Sequence, residues 1–178
     1  MITIQPTYSS PAPSNLELYV CPFTVLESSA EQQPWTFDGI VIAGQQWIIK
    51  RKRQYMRTAD YSIEGHENAI LIERKNPDDL VGSVLGGHKR LEAEHERMAE
   101  VVRAGGFACL VCEGDYGAID DRLRLEGRDR AADTLQGCYA SWPMRFGTPW
   151  FFCGTRRHAE IVAFRILWKA WRKLNETH

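Results

Sequence analysis

The sequence predicts an α/β or α+β domain, and three observations carry that reading. Short apolar runs recur along the chain, separated by longer stretches with helical periodicity. Glycine, proline and asparagine fall between the runs, where turns and caps are needed. The 178 residues are 44% hydrophobic, enough to close one core without disulfides.

Taken in order, residues 1–22 carry Pro6, Pro11 and Pro13 among serines and read as a loosely structured leader, with 23–178 as one domain. "FTVLES" at 23–28 reads as the first strand, and "QQPWTF" at 32–37 as a turn rich in aromatics. Residues 46–63 read as one extended segment, closed by Gly65. "AILIERK" at 69–75 is a strand. Asn76 then offers a side-chain cap and Pro77 a first helical residue, so a helix starts there. Gly86 and Gly87 interrupt it. Leu91, His95, Met98 and Val102 share a face of the next helical stretch. "FACLVCE" at 107–113 is a strand ended by Gly114. A helix within 130–146, a strand at 149–153 and a last helix complete the chain. Ile161, Phe164, Trp168 and Trp171 form that helix's apolar stripe.

The formal net charge of −1 neither demands nucleic acid nor excludes it. Cys109 and Cys112 make a C-x-x-C inside an apolar run with no second pair or histidine in register, so they read as core rather than zinc ligands. His95 lies on the apolar helix face and reads as a core histidine rather than a ligand. No signal peptide or membrane-length apolar run is visible, which implies a reduced, cytoplasmic protein and no membrane.

The chemistry concentrates where the 69–75 strand ends. Side chains on a strand alternate faces, so Glu73 and Lys75 share one and Arg74 takes the other. A turn at 64–68, centred near His66, pairs this strand with the one before it and sets Asp60 opposite Glu73. Such partners have Cβ atoms roughly 4.5–5.5 Å apart. Two carboxylates that close repel, and a divalent cation relieves the repulsion; oxygen ligands suit Mg²⁺, with Mn²⁺ as a substitute. Asp79, in the following helix's first turn, can reach the same ion. Lys75 adds a fixed positive charge beside a phosphodiester, the group that metal and lysine together would make hydrolysable. Lys50, Lys52 and Arg57, in and after the densest basic run, read as a phosphate-binding edge leading to Asp60.

The wider pattern, Ala59-Asp60-Tyr61 followed by Glu73-Arg74-Lys75-x-x-x-Asp79-Leu80, resembles the XPF/Mus81 (ERCC4-type) nuclease family, whose signature is G-D-x(n)-E-R-K-x-x-x-D. The likeness extends through "DLVGS" at 79–83, "KRLEAEHERM" at 89–98, "CLVCEG" at 109–114 and "EQQPWTF" at 31–37. The last is similar to short stand-alone phage and bacterial members. The resemblance implies a restriction-endonuclease-like fold, with a central mixed sheet flanked by helices. It implies an endonuclease that cuts branched or flapped DNA with Mg²⁺. Asp60, Glu73 and Asp79 become the metal-site acids, Lys75 the catalytic lysine, and Arg90 and Arg74 DNA contacts. Glu31 and Glu113 become further site acids.

Two positions depart from the pattern. Ala59 stands where the family has glycine, and strains the backbone if that position needs a positive φ. The upstream D-x-R-E is Ser28-Ser29-Ala30-Glu31, so its first acid is missing unless the register slips and Glu27 serves. The rival readings are a non-catalytic DNA-binding scaffold of the same fold and a recombination or restriction-type nuclease with another substrate. The broad apolar surface of the last helix, widened by Val162, Ile166 and Leu167, implies a homodimer.

Overall fold

The apolar runs become β1 (Glu17–Ser28), β2 (Val41–Ile42), β3 (Gln45–Gln54), β4 (Tyr61–Ile63), β5 (Ile70–Lys75), β6 (Phe107–Cys112) and β7 (Trp150–Phe152). The helices are α1 (Pro77–Leu85), α2 (His88–Arg103), α3 (Tyr116–Leu125), α4 (Asp129–Phe146) and α5 (Arg156–Asn175). The computed structural model describes residues 17–175. The strands form one mixed sheet in the order β2-β3-β1-β4-β5-β6-β7. β1–β3, β5–β6 and β6–β7 are parallel, while β4 runs antiparallel to both β1 and β5.

Alternation along the central strands sorts the core onto two faces. Ile70, Ile72, Cys109 and Val111 face α5, which buries Ala159, Ala163, Phe164 and Leu167 against them. Leu110 and Cys112 face α1, α3 and α4, while Leu71 and Ala108 meet Met98 of α2. Cys109 and Cys112, three apart on one strand, therefore lie in opposite layers and are free, buried thiols. The expected aromatic turn is a crossover loop whose Trp35 and Phe37 plug the α5 side; Trp35 stacks on Tyr61 with centroids 4.7 Å apart. Among the described residues, no helix is long and apolar enough to cross a membrane.

Several boundaries differ from the sequence-based expectation. β1 starts at Glu17, inside the stretch expected as a leader; residues 1–16 lie outside the described residues. Its outer half pairs with β3 but keeps Leu18 and Val20 exposed, so it carries no apolar alternation to read. The β1–β3 register shifts between Val20 and Thr24, around Pro22, whose ring nitrogen has no hydrogen to donate. On the other side, β4 covers β1 only from Val25 to Glu27. The segment expected as one extension over 46–63 is two strands, broken by a loop at 55–60. β2 and α3 were not expected: β2 has two residues, and α3 buries only Ile119 and Leu123. Asp115 starts α3 by accepting the Ala118 N–H at 2.9 Å.

Candidate functional site

The register of the β4–β5 hairpin pairs Tyr61 with Ile72, and one residue further out it brings Asp60 opposite Glu73, as the turn's centre predicts. That open end forms the floor of a cleft of about 780 Å³. His66 sits in the turn, at the closed end, and does not line the cleft.

Backbone contacts fix Asp60 from two strands. Its N–H donates to the Ile72 carbonyl at 3.0 Å, and its carbonyl accepts the Ser28 N–H at 2.8 Å. Its Oδ2 accepts the Arg74 N–H at 2.8 Å. Ala59 makes this possible by turning the chain with φ +64°, a left-handed conformation that glycine adopts without strain. Its methyl group is buried with Leu71, Met98 and Ala108.

β5 lies between β4 and β6, so Glu73 is only 3% exposed. Lys75, at the strand's end, pairs with its Oε1. Asn76 then caps α1: its Oδ1 accepts the Asp79 N–H at 2.8 Å, and its Nδ2 donates to Asp79 Oδ2 at 2.6 Å. Asp79 therefore stands at the cleft wall with its carboxylate already held by the cap.

Carboxylates outnumber cations on the floor. Burial raises Asp60 well above the usual range and Glu73 raises it further, against the opposing Arg74 N–H. Glu73 is raised by burial too, and Glu94 on α2 adds to that, while Lys75 pulls it back. Burial lowers Lys75, but Glu73, Glu94 and Asp60 outweigh it and keep the ammonium charged. Among the described residues, no three or more His, Cys, Asp or Glu side chains form a ready metal cage. Asp60 and Glu73 do supply two repelling oxygen donors beside a cleft, which suits a hard cation that needs only one or two carboxylates and fills its remaining positions with water and phosphate.

Arg74, on the opposite face, is committed to carboxylates. Its Nε and one terminal nitrogen reach Glu113 at 2.7 and 2.9 Å, and the other reaches Glu31 at 3.2 Å. Glu113 also accepts Trp35 Nε1–H at 2.7 Å and an Arg156 N–H at 2.8 Å. Arg156 in turn donates to the Gln33 and Pro34 carbonyls, 2.8 Å each. Arg74, Glu31 and Glu113 thus tie the crossover loop to β5, the end of β6 and α5; Arg74 and Glu31 border the cleft, and Glu113 does not.

Arg57 and Arg90 line the cleft, exposed and without an ion-pair partner among the described residues. Lys50 and Lys52 lie elsewhere: Lys52 pairs with Glu64 at 2.6 Å, and Lys50 borders a separate hollow with Glu64 and Trp171. Ser28 stands beside Asp60, and Glu27 is buried against Arg51 and Arg53, so the register does not slip to bring that acid in. Sequence reasoning missed Glu94, Arg97 and Arg156. Arg90, Glu94 and Arg97 follow spacings of four and three, the one available signal, but such a stripe reads equally as a solvated helix face.

A family model described as the ERCC4 domain matches residues 20–163. No curated protein matches the chain. Among solved structures, XPF from Aeropyrum pernix is similar with a TM-score of 0.57 at 19% identity, over 82% of this chain and 60% of that one. The chain thus spans about 60% of that protein's length. A second structure, XPF from Aeropyrum pernix in complex with DNA, is similar with a TM-score of 0.49 at 21% identity, over 72% and 55% of the two chains. The sheet and its flanking helices are the restriction-endonuclease-like fold expected above.

Proposed function

The chain belongs to the ERCC4 domain family, and from that premise we propose that it is a cytoplasmic, Mg²⁺-dependent endonuclease hydrolysing phosphodiester bonds in branched, flapped or junction DNA. The supporting observation is the convergence of Asp60, Glu73 and Lys75 on one cleft floor, with Arg57 and Arg90, unpaired among the described residues, on its walls. The arginines attract and position the phosphate backbone. Lys75 keeps a fixed positive charge where negative charge develops on the phosphoryl oxygens. Asp60 and Glu73 would hold Mg²⁺ or Mn²⁺ with Asp79 at hand, and the ion would screen the phosphate and acidify water. Asp79 must first release its Asn76 contact, or act through water.

We also read the protein as a homodimer. The apolar stripe of α5 is largely spent on its own sheet, but a groove of about 510 Å³ remains beside it, lined in part by Phe107, Phe151, Val162, Ile166 and Ala170.

One observation favours a second reading, a DNA-binding scaffold without activity: Ser28 occupies the place of an acid beside Asp60. Labelled flap, fork, Holliday and linear substrates, incubated with Mg²⁺, Mn²⁺ or EDTA, separate the two. The nuclease reading expects metal-dependent cuts at branch points, and a loss of about 10²–10³ in rate for Lys75→Ala. DNA binding without cleavage of any substrate would establish the scaffold.

A further inference from the structure

Beside the cleft lies a second hollow of about 190 Å³. Met56, Arg57, Thr58 and Arg97 line both, so a strand crossing the wall at Arg57 passes from one into the other. Tyr55 stands at the hollow's rim, 79% exposed. Its ring touches no other aromatic and its hydroxyl makes no hydrogen bond among the described residues. A tyrosine so exposed contributes little to the fold, whereas covering its ring would remove a large apolar surface from water.

The lining sorts charge in a way that fits one chemical class. Arg57 and Arg97 sit on the shared wall, where they attract phosphate. Leu71 and Val101 give the hollow an apolar part, and Glu67, Asn68 and Glu100 on its lining present hydrogen-bond acceptors. Those carboxylates repel a phosphate but accept from the exocyclic amino groups of adenine, cytosine and guanine. The hollow's volume of about 190 Å³ gives room for one planar ring system. Arg97 Nε donates to Thr58 Oγ1 at 3.1 Å, which ties the 55–60 loop to α2 and keeps Tyr55 at a set place relative to Asp60. Five residues of chain reach at most roughly 18 Å, so the hollow serves a nucleotide close to the one at Asp60.

We propose that this hollow is a subsite for a single unpaired nucleobase, stacked on Tyr55, with its phosphate held at Arg57 and Arg97. The proposal rests on the nuclease reading and adds a source for its substrate selectivity. A base in intact duplex must be unstacked and unpaired before it can enter, while a base next to a branch is already free. Tyr55 is thereby a specificity-determining residue.

The test uses the full chain and forked DNA carrying 2-aminopurine at successive unpaired positions, with Ca²⁺ in place of Mg²⁺. The wild type should quench the probe at one or two positions near the branch. Tyr55→Phe should retain the quenching. Tyr55→Ala should lose it and bind the fork about tenfold more weakly, with paired-duplex binding unchanged. An unchanged melting temperature shows that the variant folds. Two outcomes overturn the subsite while leaving the nuclease reading standing: fork cleavage by a wild type that quenches no unpaired position, or equal weakening of fork and duplex binding by Tyr55→Ala. A wild type that binds no DNA overturns both.

Discussion

Lys75 is a half-buried cation paired with buried Glu73 and also facing Asp60 and Glu94, and this shapes its response to mutation. A lysine at an exposed strand end would cost about 0.5 kcal/mol to remove. Breaking a buried pair costs more, about 3 kcal/mol, because the partner is left charged and unpaired. Glu73 is raised above its ordinary value of 4.5. As pH rises past that value, the unfolded chain releases this proton before the folded one does. The stability it contributes is complete below about pH 4.5 and is lost as pH climbs through the folded pKa; Asp60 has the same sign. Buried His95 titrates with the opposite sign below about pH 6.5, so the carboxyl contribution is read as a difference between variants: from pH 5 to 8 the metal-free melting temperature of Lys75→Ala should drop relative to wild type, and that of Glu73→Gln should rise relative to it. Mg²⁺ should raise the wild-type melting temperature more at pH 8 than at pH 5. Calorimetry that finds equal Mg²⁺ shifts at both pH values would count against a cation at Asp60 and Glu73. Ala59 invites a second substitution. Glycine there relieves a left-handed alanine, about 1 kcal/mol, but exposes the space of a buried methyl, about 0.8 kcal/mol. The terms nearly offset, so Ala59→Gly should change unfolding free energy by less than about 0.5 kcal/mol in a urea titration.

At the scale of elements, His95 joins α2 to β7. Its Nε2 accepts the Trp150 Nε1–H at 2.9 Å, so the other nitrogen carries the proton and donates to the Leu91 carbonyl at 2.9 Å. A second proton would meet the tryptophan N–H head on. Burial, with Lys75 adding repulsion, lowers this imidazole from 6.5 to about 4. The unfolded chain takes up the proton first as pH falls, so stability is full above about 6.5 and declines to about 4. The difference amounts to about 3 kcal/mol, and a His95→Gln variant should lack that part of the acid sensitivity. How much was legible in the sequence divides along similar lines. β5 and α1 were, because Asn76 and Pro77 mark one boundary chemically and the hairpin turn sets the register. The break at 55–60 was not, because it depends on an alanine adopting a glycine conformation. The Arg74–Glu113–Arg156 junction was not, because its members are 39 and 43 residues apart. Nothing in local spacing records such a contact.

Across the whole molecule, charge is arranged locally and not in the total of −1. The basic residues expected to govern DNA binding divide in two. Arg57, with Arg90 and Arg97, borders the cleft, whereas Lys50 and Lys52 face the Glu64 side of β3. Replacing Arg57, Arg90 and Arg97 by alanine should lower the slope of log affinity against log salt by about 0.9 for each lost phosphate contact. The double change of Lys50 and Lys52 should leave it untouched. An equal effect from both sets, measured by fluorescence anisotropy across a salt series, would place the DNA over β3 as well.

The irregular stretch of β1 around Pro22 bears on what this protein does at high concentration. Beyond Val25, β4 no longer covers that strand, and Leu18 and Val20 stand in water. A bare strand flank with apolar side chains is a template onto which another chain can zip, the first step toward fibrils. Pro22 has no amide hydrogen to offer another strand, and the register shift beside it departs from a straight ladder. That makes this flank a poor template for an added strand.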